Sequence, residues 1–82
     1  MYKAIITFKG EGKQHDSVLL ESEQYKNLHE AVKLTMKVWL HDDPDLKLAV
    51  ATIWRWEPFA LLTEMTYDHL NGIMVRRIGE VE

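Results

Sequence analysis

The chain contains no cysteine, which excludes a disulfide framework, a thiol nucleophile and every thiolate zinc site, and fits a reducing cytoplasm. Its only serines are Ser17 and Ser22, and neither stands in the tight strand-to-helix turn that presents a nucleophilic hydroxyl. The four histidines, His15, His29, His41 and His69, form no H-x-x-x-H pair, so the convergent ligands that a metal site requires are missing and no metal or other cofactor is expected. No stretch approaches the ~18 consecutive apolar residues of a membrane-spanning helix, and the apolar part of the opening residues is too short for a signal peptide. There is no internal repeat, low-complexity segment or linker. A formal net charge of −3 is too small for wholesale mimicry of DNA and of the wrong sign for nonspecific nucleic-acid binding. These absences favour a cytoplasmic, noncatalytic protein that does not act at a membrane.

What is present is globular. Hydrophobic residues make up 46% and charged residues 28%, with three tryptophans, a balance no disordered chain shows. Eighty-two residues make one domain, residues 1–82, near the size at which a core is marginal and a homodimer would help.

The strongest pattern runs from Asn27 to His41. Leu28, Ala31, Val32, Thr35, Met36, Trp39 and Leu40 recur at the spacing of one helix face. Asn27 and Glu30 make a capping-box-like pair, and Pro44 stops the helix because its ring excludes helical geometry at Asp43. On this reading Trp39 belongs to the core. The apolar arc is wider than one sheet can cover, so Leu34, Val38 and Leu40 at its margins need a second element or another subunit.

Strands flank the helix. Tyr2 to Lys9 alternates with Tyr2, Ala4, Ile6 and Phe8 on one face, and His15 to Glu21 returns through Gly10-Glu11-Gly12-Lys13 to give a hairpin. The Gly-x-Gly joins two strands rather than opening a helix, so it is a turn and not a phosphate cradle. Leu46 to Trp56 reads as the central strand, with Leu46, Leu48, Val50, Thr52, Trp54 and Trp56 towards the core and Lys47, Ala49, Ala51, Ile53 and Arg55 outward. Phe59 to Asn71 fits a helix opened by Pro58 and closed by Gly72, or a strand paired with Ile73 to Ile78; the helix reading is favoured. The acidic end, Glu80 to Glu82, is expected to fray. The fold class is α+β: a small antiparallel sheet, formed by an N-terminal hairpin plus one or two later strands, packed on one main helix in the order ββαβ(α or β)β.

The hairpin leading into a helix that opens Asn27-Leu28-His29-Glu30-Ala31 resembles the start of small antitoxins of the HicB type and of small phage proteins that inhibit host RNA polymerase. The likeness covers about half the chain and contains no functional motif, so it assigns no family.

Function is reached by elimination. The expected class is a noncatalytic protein-binding module, a small inhibitor or modulator of a larger host protein of the sort phages and mobile elements encode. Its contact residues are expected to be Arg55, Trp56 and Glu57 at the strand end with Lys3 and Lys47 on the rim. An outer sheet face of Ile5, Leu19, Ala49, Ala51 and Ile53, edged by Lys3, Lys9, Lys47, Arg55 and Glu21, has the apolar centre and charged rim of an interface. The alternatives are a homodimeric regulatory or nucleic-acid-binding domain using Lys3, Lys9, Lys47, Arg55, Arg76 and Arg77, and a metal-dependent enzyme built on the acidic turn Asp42-Asp43-Pro44-Asp45.

Overall fold

A computed structural model describes residues 1–11 and 17–80, and the backbone alone of residues 13–14. The expectations for Gly12, for His15 and for the fraying of Val81 and Glu82 lie outside the described residues.

The elements are β1 (Tyr2–Gly10), β2 (Lys13–Gln14), β3 (Val18–Ser22), α1 (Tyr25–Asp42), β4 (Leu46–Arg55), β5 (Ala60–Asp68) and β6 (Gly72–Arg77). β2 and β3 both pair with β1 along the same edge, so together they form one interrupted return strand. On the other side of β1 come β4, β5 and β6 in that order, every pair antiparallel. The result is a five-strand antiparallel sheet with one helix packed on it, ββαβββ. The α+β class and the hairpin-then-helix order are those read from the sequence.

The helix begins at Tyr25, two residues before Asn27, with Gln24 as an extended N-cap that makes no side-chain cap bond. Asn27 is therefore not the cap; its Nδ2 donates to Gln24 Oε1 at 2.8 Å. At the other end the Asp43 N–H donates to the Trp39 carbonyl at 3.1 Å and Pro44 follows, as the sequence implied. Leu28, Val32, Met36 and Leu40 are the buried stripe, one residue per turn at four-residue spacing.

That stripe rests on Ala4, Ile6 and Phe8 of β1, on Ala49, Ala51 and Ile53 of β4, and on Met65 of β5. Register fixes the faces: Ala4 lies opposite Ile53, Ile6 opposite Ala51 and Phe8 opposite Ala49, and directly opposed residues share a face. The face assignment of β4 read from the sequence is thus inverted from Leu48 to Arg55, while Leu46 lies in the core as expected. Alanine, not leucine, lies beneath the helix at positions 49 and 51, because a helix seated across the centre of the sheet needs small residues there for close approach. The register shifts between Lys9 and Gly10, and Leu46 is buried beyond it.

Two further expectations are corrected, and the expected cover of the helix margin is located in part. Phe59 to Asn71 is not a helix: Ala60–Asp68 is a strand, which reaches Gly72 across a short turn. Its threonines and Tyr67 suit a pleated surface, and Gly72, at φ 72°, serves that turn rather than a helix end. Trp39 is 40% exposed; it stacks on the Phe8 ring at 4.5 Å and 8° as a lid on the core rather than inside it. Of the helix-margin residues, Leu40 is buried but Leu34 and Val38 are exposed, so among the described residues no second element covers those two.

The core contains one buried polar side chain among the described residues, Thr63. Its hydroxyl bonds that of Tyr25 at 2.6 Å, and Tyr25 also meets Tyr2 edge-on at 5.9 Å, which ties the first turn of α1 to β1 and β5.

Candidate binding groove on the open sheet face

Only one face of the sheet carries the helix. The other presents Lys3, Ile5, Thr7 and Lys9 of β1 beside Trp54, Thr52, Val50 and Leu48 of β4, each pair in register. Leu19 and Glu21 of β3 extend it on one side, and Glu64, Thr66, Met74 and Arg76 on the other. Strand alternation produces this surface without further cost, since every core residue on a strand places its neighbour on the opposite side.

At one corner the surface becomes concave. After Arg55 the chain turns back on itself through Trp56–Phe59, with Glu57 at φ 73° and a cis Glu57–Pro58 bond. The Trp56 N–H donates to the Met1 carbonyl at 2.9 Å, and Arg55 Nε donates to the Pro58 carbonyl at 3.1 Å. This turn places Phe59 against two indoles, stacked on Trp54 at 4.8 Å and 17° and edge-on to Trp56 at 4.9 Å and 85°, both favourable aromatic geometries. The Lys3 ammonium lies 4.4 Å from the Trp56 ring centroid, a cation–π contact. Trp54 Nε1 donates to Thr52 Oγ1 at 3.0 Å, so this ring can face an apolar ligand with its polar atom already satisfied.

These rings line a groove of about 330 Å³ together with Ile5, Leu19, Lys3, Glu21 and the β3 residue Leu20. Leu19 is 73% exposed, Phe59 61% and Trp56 42%. Large apolar side chains this exposed, side by side and bordered by one cation and one anion, are unusual on a surface that meets only water.

The expected contact residues separate in space. Lys3 and Trp56 line the groove. Glu57 is exposed in the adjoining turn. Arg55 lies opposite Tyr2, on the helix-bearing side, and its guanidinium holds the turn in shape through Pro58. Lys47 stands at the far end of β4 and donates to the Pro44 carbonyl at 3.0 Å, so it is not part of this site. Ile5, Leu19 and Glu21 do belong to the outer face as expected, whereas Ala49, Ala51 and Ile53 lie beneath the helix. Sequence reading missed Trp54 and Phe59. The inverted β4 face hid the first, and the helix reading of the segment after Pro58 hid the second.

The other candidate chemistry is dispersed. Asp43 Oδ1 accepts the Asp45 N–H at 3.0 Å, a carboxylate engaged in its own turn. His41 and Asp42 approach at 3.3 Å on exposed surface, beside a shallow concavity of about 340 Å³ that includes Tyr67 and His69. Burial, with Lys33 second, lowers the pKa of His29. Among the described residues, no group of three or more histidines or acidic residues is placed to hold a metal ion. Among them, too, no helix is long and apolar enough to cross a membrane.

Compared with known proteins, the chain matches no family model, no curated protein and no solved structure, so no residue role comes to it from a relative.

Proposed function

We propose that the protein is a noncatalytic binding module that works in the cytoplasm, a small inhibitor or modulator of a larger protein, and that it holds its partner in the groove formed by Trp54, Trp56, Phe59, Ile5 and Leu19. One observation carries this reading: two indoles and a phenyl ring, mutually packed and still open to solvent, lie beside exposed Leu19 on a sheet face that no other part of the described chain covers. Rings held this way lose little freedom on binding, and aromatic anchors dominate interface energetics. The Lys3 and Glu21 rim would set orientation through polar contacts, and the groove would take an aliphatic or aromatic anchor from the partner.

The test is affinity capture from the native host with wild type and with three variants, followed by assay of the captured protein's own activity. Trp56→Ala and Leu19→Asp are expected to lose the partner and its inhibition at unchanged thermal stability. The paired change Asp42→Ala with Asp43→Ala is expected to keep both. Equal capture by wild type and Leu19→Asp overturns the reading. Loss of function in the aspartate pair alone would replace it with the metal-dependent alternative. A salt-dependent mobility shift with RNA or DNA would replace it with the nucleic-acid alternative.

A further inference from the structure

The sheet's β6 edge has a pattern that the groove does not explain. Among the described residues β6 pairs with β5 alone, which leaves the backbone groups on its other side without a neighbouring strand. Edges are ordinarily blunted by charge, proline or a bulge, yet the first half of β6 runs Ile73-Met74-Val75, with Met74 58% and Val75 47% exposed. The helix rests on β1, β3, β4 and β5.

We propose that β6 pairs with β6 of a second copy of this chain, antiparallel, about a two-fold axis at Met74, which joins two sheets into one.

Symmetry and charge select that partner and that register. Directly opposed residues lie on one face of a sheet, and a two-fold axis perpendicular to the sheet preserves faces, so the axis must pass at a residue rather than between two. Centring on Arg76 would oppose two guanidinium groups. Centring on Val75 would set Ile73 and Met74 against the partner's arginines. Centring on Met74 opposes the two Met74 side chains and sets Ile73 against the partner's Val75, and the reverse.

That register also sets Arg76 against the partner's Gly72. In its own hairpin Gly72 lies opposite Asp68, and the space where a Gly72 side chain would project is open for 4 Å. Arg76 therefore looks across a bare glycine towards the partner's Asp68, two strand spacings or about 9.5 Å away between Cα atoms, a gap that arginine and aspartate side chains can close. The Asn71 N–H, followed by the Asn71 side-chain amide and the Leu70 N–H, donates to Asp68 and holds its carboxyl below the ordinary range, so it is an anion at neutral pH. Within its own chain Arg76 reaches Glu64 only at 3.6 Å. The apolar centre is self-complementary, and each end pairs a cation with an anion. A strand of six residues is about 20 Å long, which puts the interface at the low end of specific contact areas and makes the dimer weak and concentration-dependent.

The absence of native cysteine makes the register directly measurable. Met74→Cys, Val75→Cys and Leu70→Cys are each oxidised with oxidised glutathione at high protein concentration. Opposed Cα atoms in an antiparallel pair are about 4.5–5.5 Å apart, within reach of a disulfide, so Met74→Cys is expected to form covalent dimer at least about tenfold faster than the other two. Sedimentation from about 10 μM to about 1 mM should show wild type associating and Met74→Lys remaining monomeric, with identical thermal unfolding. The inference is overturned if wild type stays monomeric throughout, if Met74→Cys reacts no faster than Leu70→Cys, if Val75→Cys reacts fastest, or if Met74→Lys still dimerises. None of these outcomes depends on the groove, so this inference and the proposed function fail separately.

Discussion

The two faces of the sheet are built from the same strands and differ in what their residues are for. Beneath α1 the side chains are small or tightly fitted: Ala4, Ala49 and Ala51 admit the helix, and Ile6, Phe8, Ile53 and Met65 fill the space around it. On the bare face stand larger side chains, Trp54, Trp56, Phe59 and Leu19 among them, and they leave a groove instead of closing one. Bulk therefore does not mark the core of this protein. Close approach of backbone to backbone does, and the heavier apolar surface is left for contact with something else.

The sharpest way to break that contrast is at its covered side. Phe8→Ala removes a fully buried ring and is expected to lower unfolding free energy by about 3–5 kcal/mol, read as a fall in the denaturant midpoint. Trp39→Ala strips a half-open lid from that same ring and should lose about 1–2 kcal/mol; a loss as large as that of Phe8→Ala would show the indole to be core after all. Tyr25→Phe leaves the buried Thr63 hydroxyl without its partner and should lose about 1 kcal/mol, while Tyr25→Phe combined with Thr63→Val should recover part of it. On the bare face, Leu19→Ser and Trp56→Ala are expected to change stability by no more than about 0.5 kcal/mol, and a larger fall would mean that this face contributes to the fold. The smallest effect is one of pH. His29 has its pKa lowered chiefly by burial, so as pH falls from the ordinary histidine value towards the lowered one, the unfolded chain takes a proton that the folded chain does not. Stability is then lost with falling pH across that window, and urea titrations of His29→Gln should lack that portion of the slope.

Much of the frame was legible in the residues. The helix announced itself by period, β1 by strict alternation of Ala4, Ile6 and Phe8, and the end of α1 by Pro44. Alternation in β4 also separated its residues from Leu48 to Arg55 correctly into two sets, whereas Leu46 is returned to the core by the register shift at Lys9 and Gly10. What it could not do was say which set turned inward, because period carries no sign, and the set containing Leu48, Val50 and Trp54 looked more like a core than one containing Ala49 and Ala51. The register with β1 decides the matter, and register is a property of two strands that lie far apart in sequence. The segment after Pro58 was ambiguous for a local reason: Gly72 can end a helix or serve a hairpin turn, and β5 is interrupted by a register shift opposite Ile53 and Trp54, which blurs its period at Leu61-Leu62. These two errors together account for the missing half of the aromatic cluster. Trp56 and Lys3 could be named as contact residues, but their companions Trp54 and Phe59 could not.

The connectivity of β1 bears on how the chain reaches this structure during synthesis. β1 is interior to the sheet, yet among its strands it is the first to be made. Its partner β3 follows at once, but the strand that closes its other edge is β4, where Gly10 meets Leu46 and Tyr2 meets Arg55. Until the ribosome has delivered those residues, the hairpin and helix exist with an interior sheet edge exposed and with Ala4, Ile6 and Phe8 only partly roofed. Closing that gap is a long-range event, slow relative to the local pairing of β4, β5 and β6 that can follow it. A nascent chain paused between Asp42 and Arg55 would therefore be the species most prone to aggregate, and synonymous codon changes that lengthen this pause should lower soluble yield without altering the finished protein.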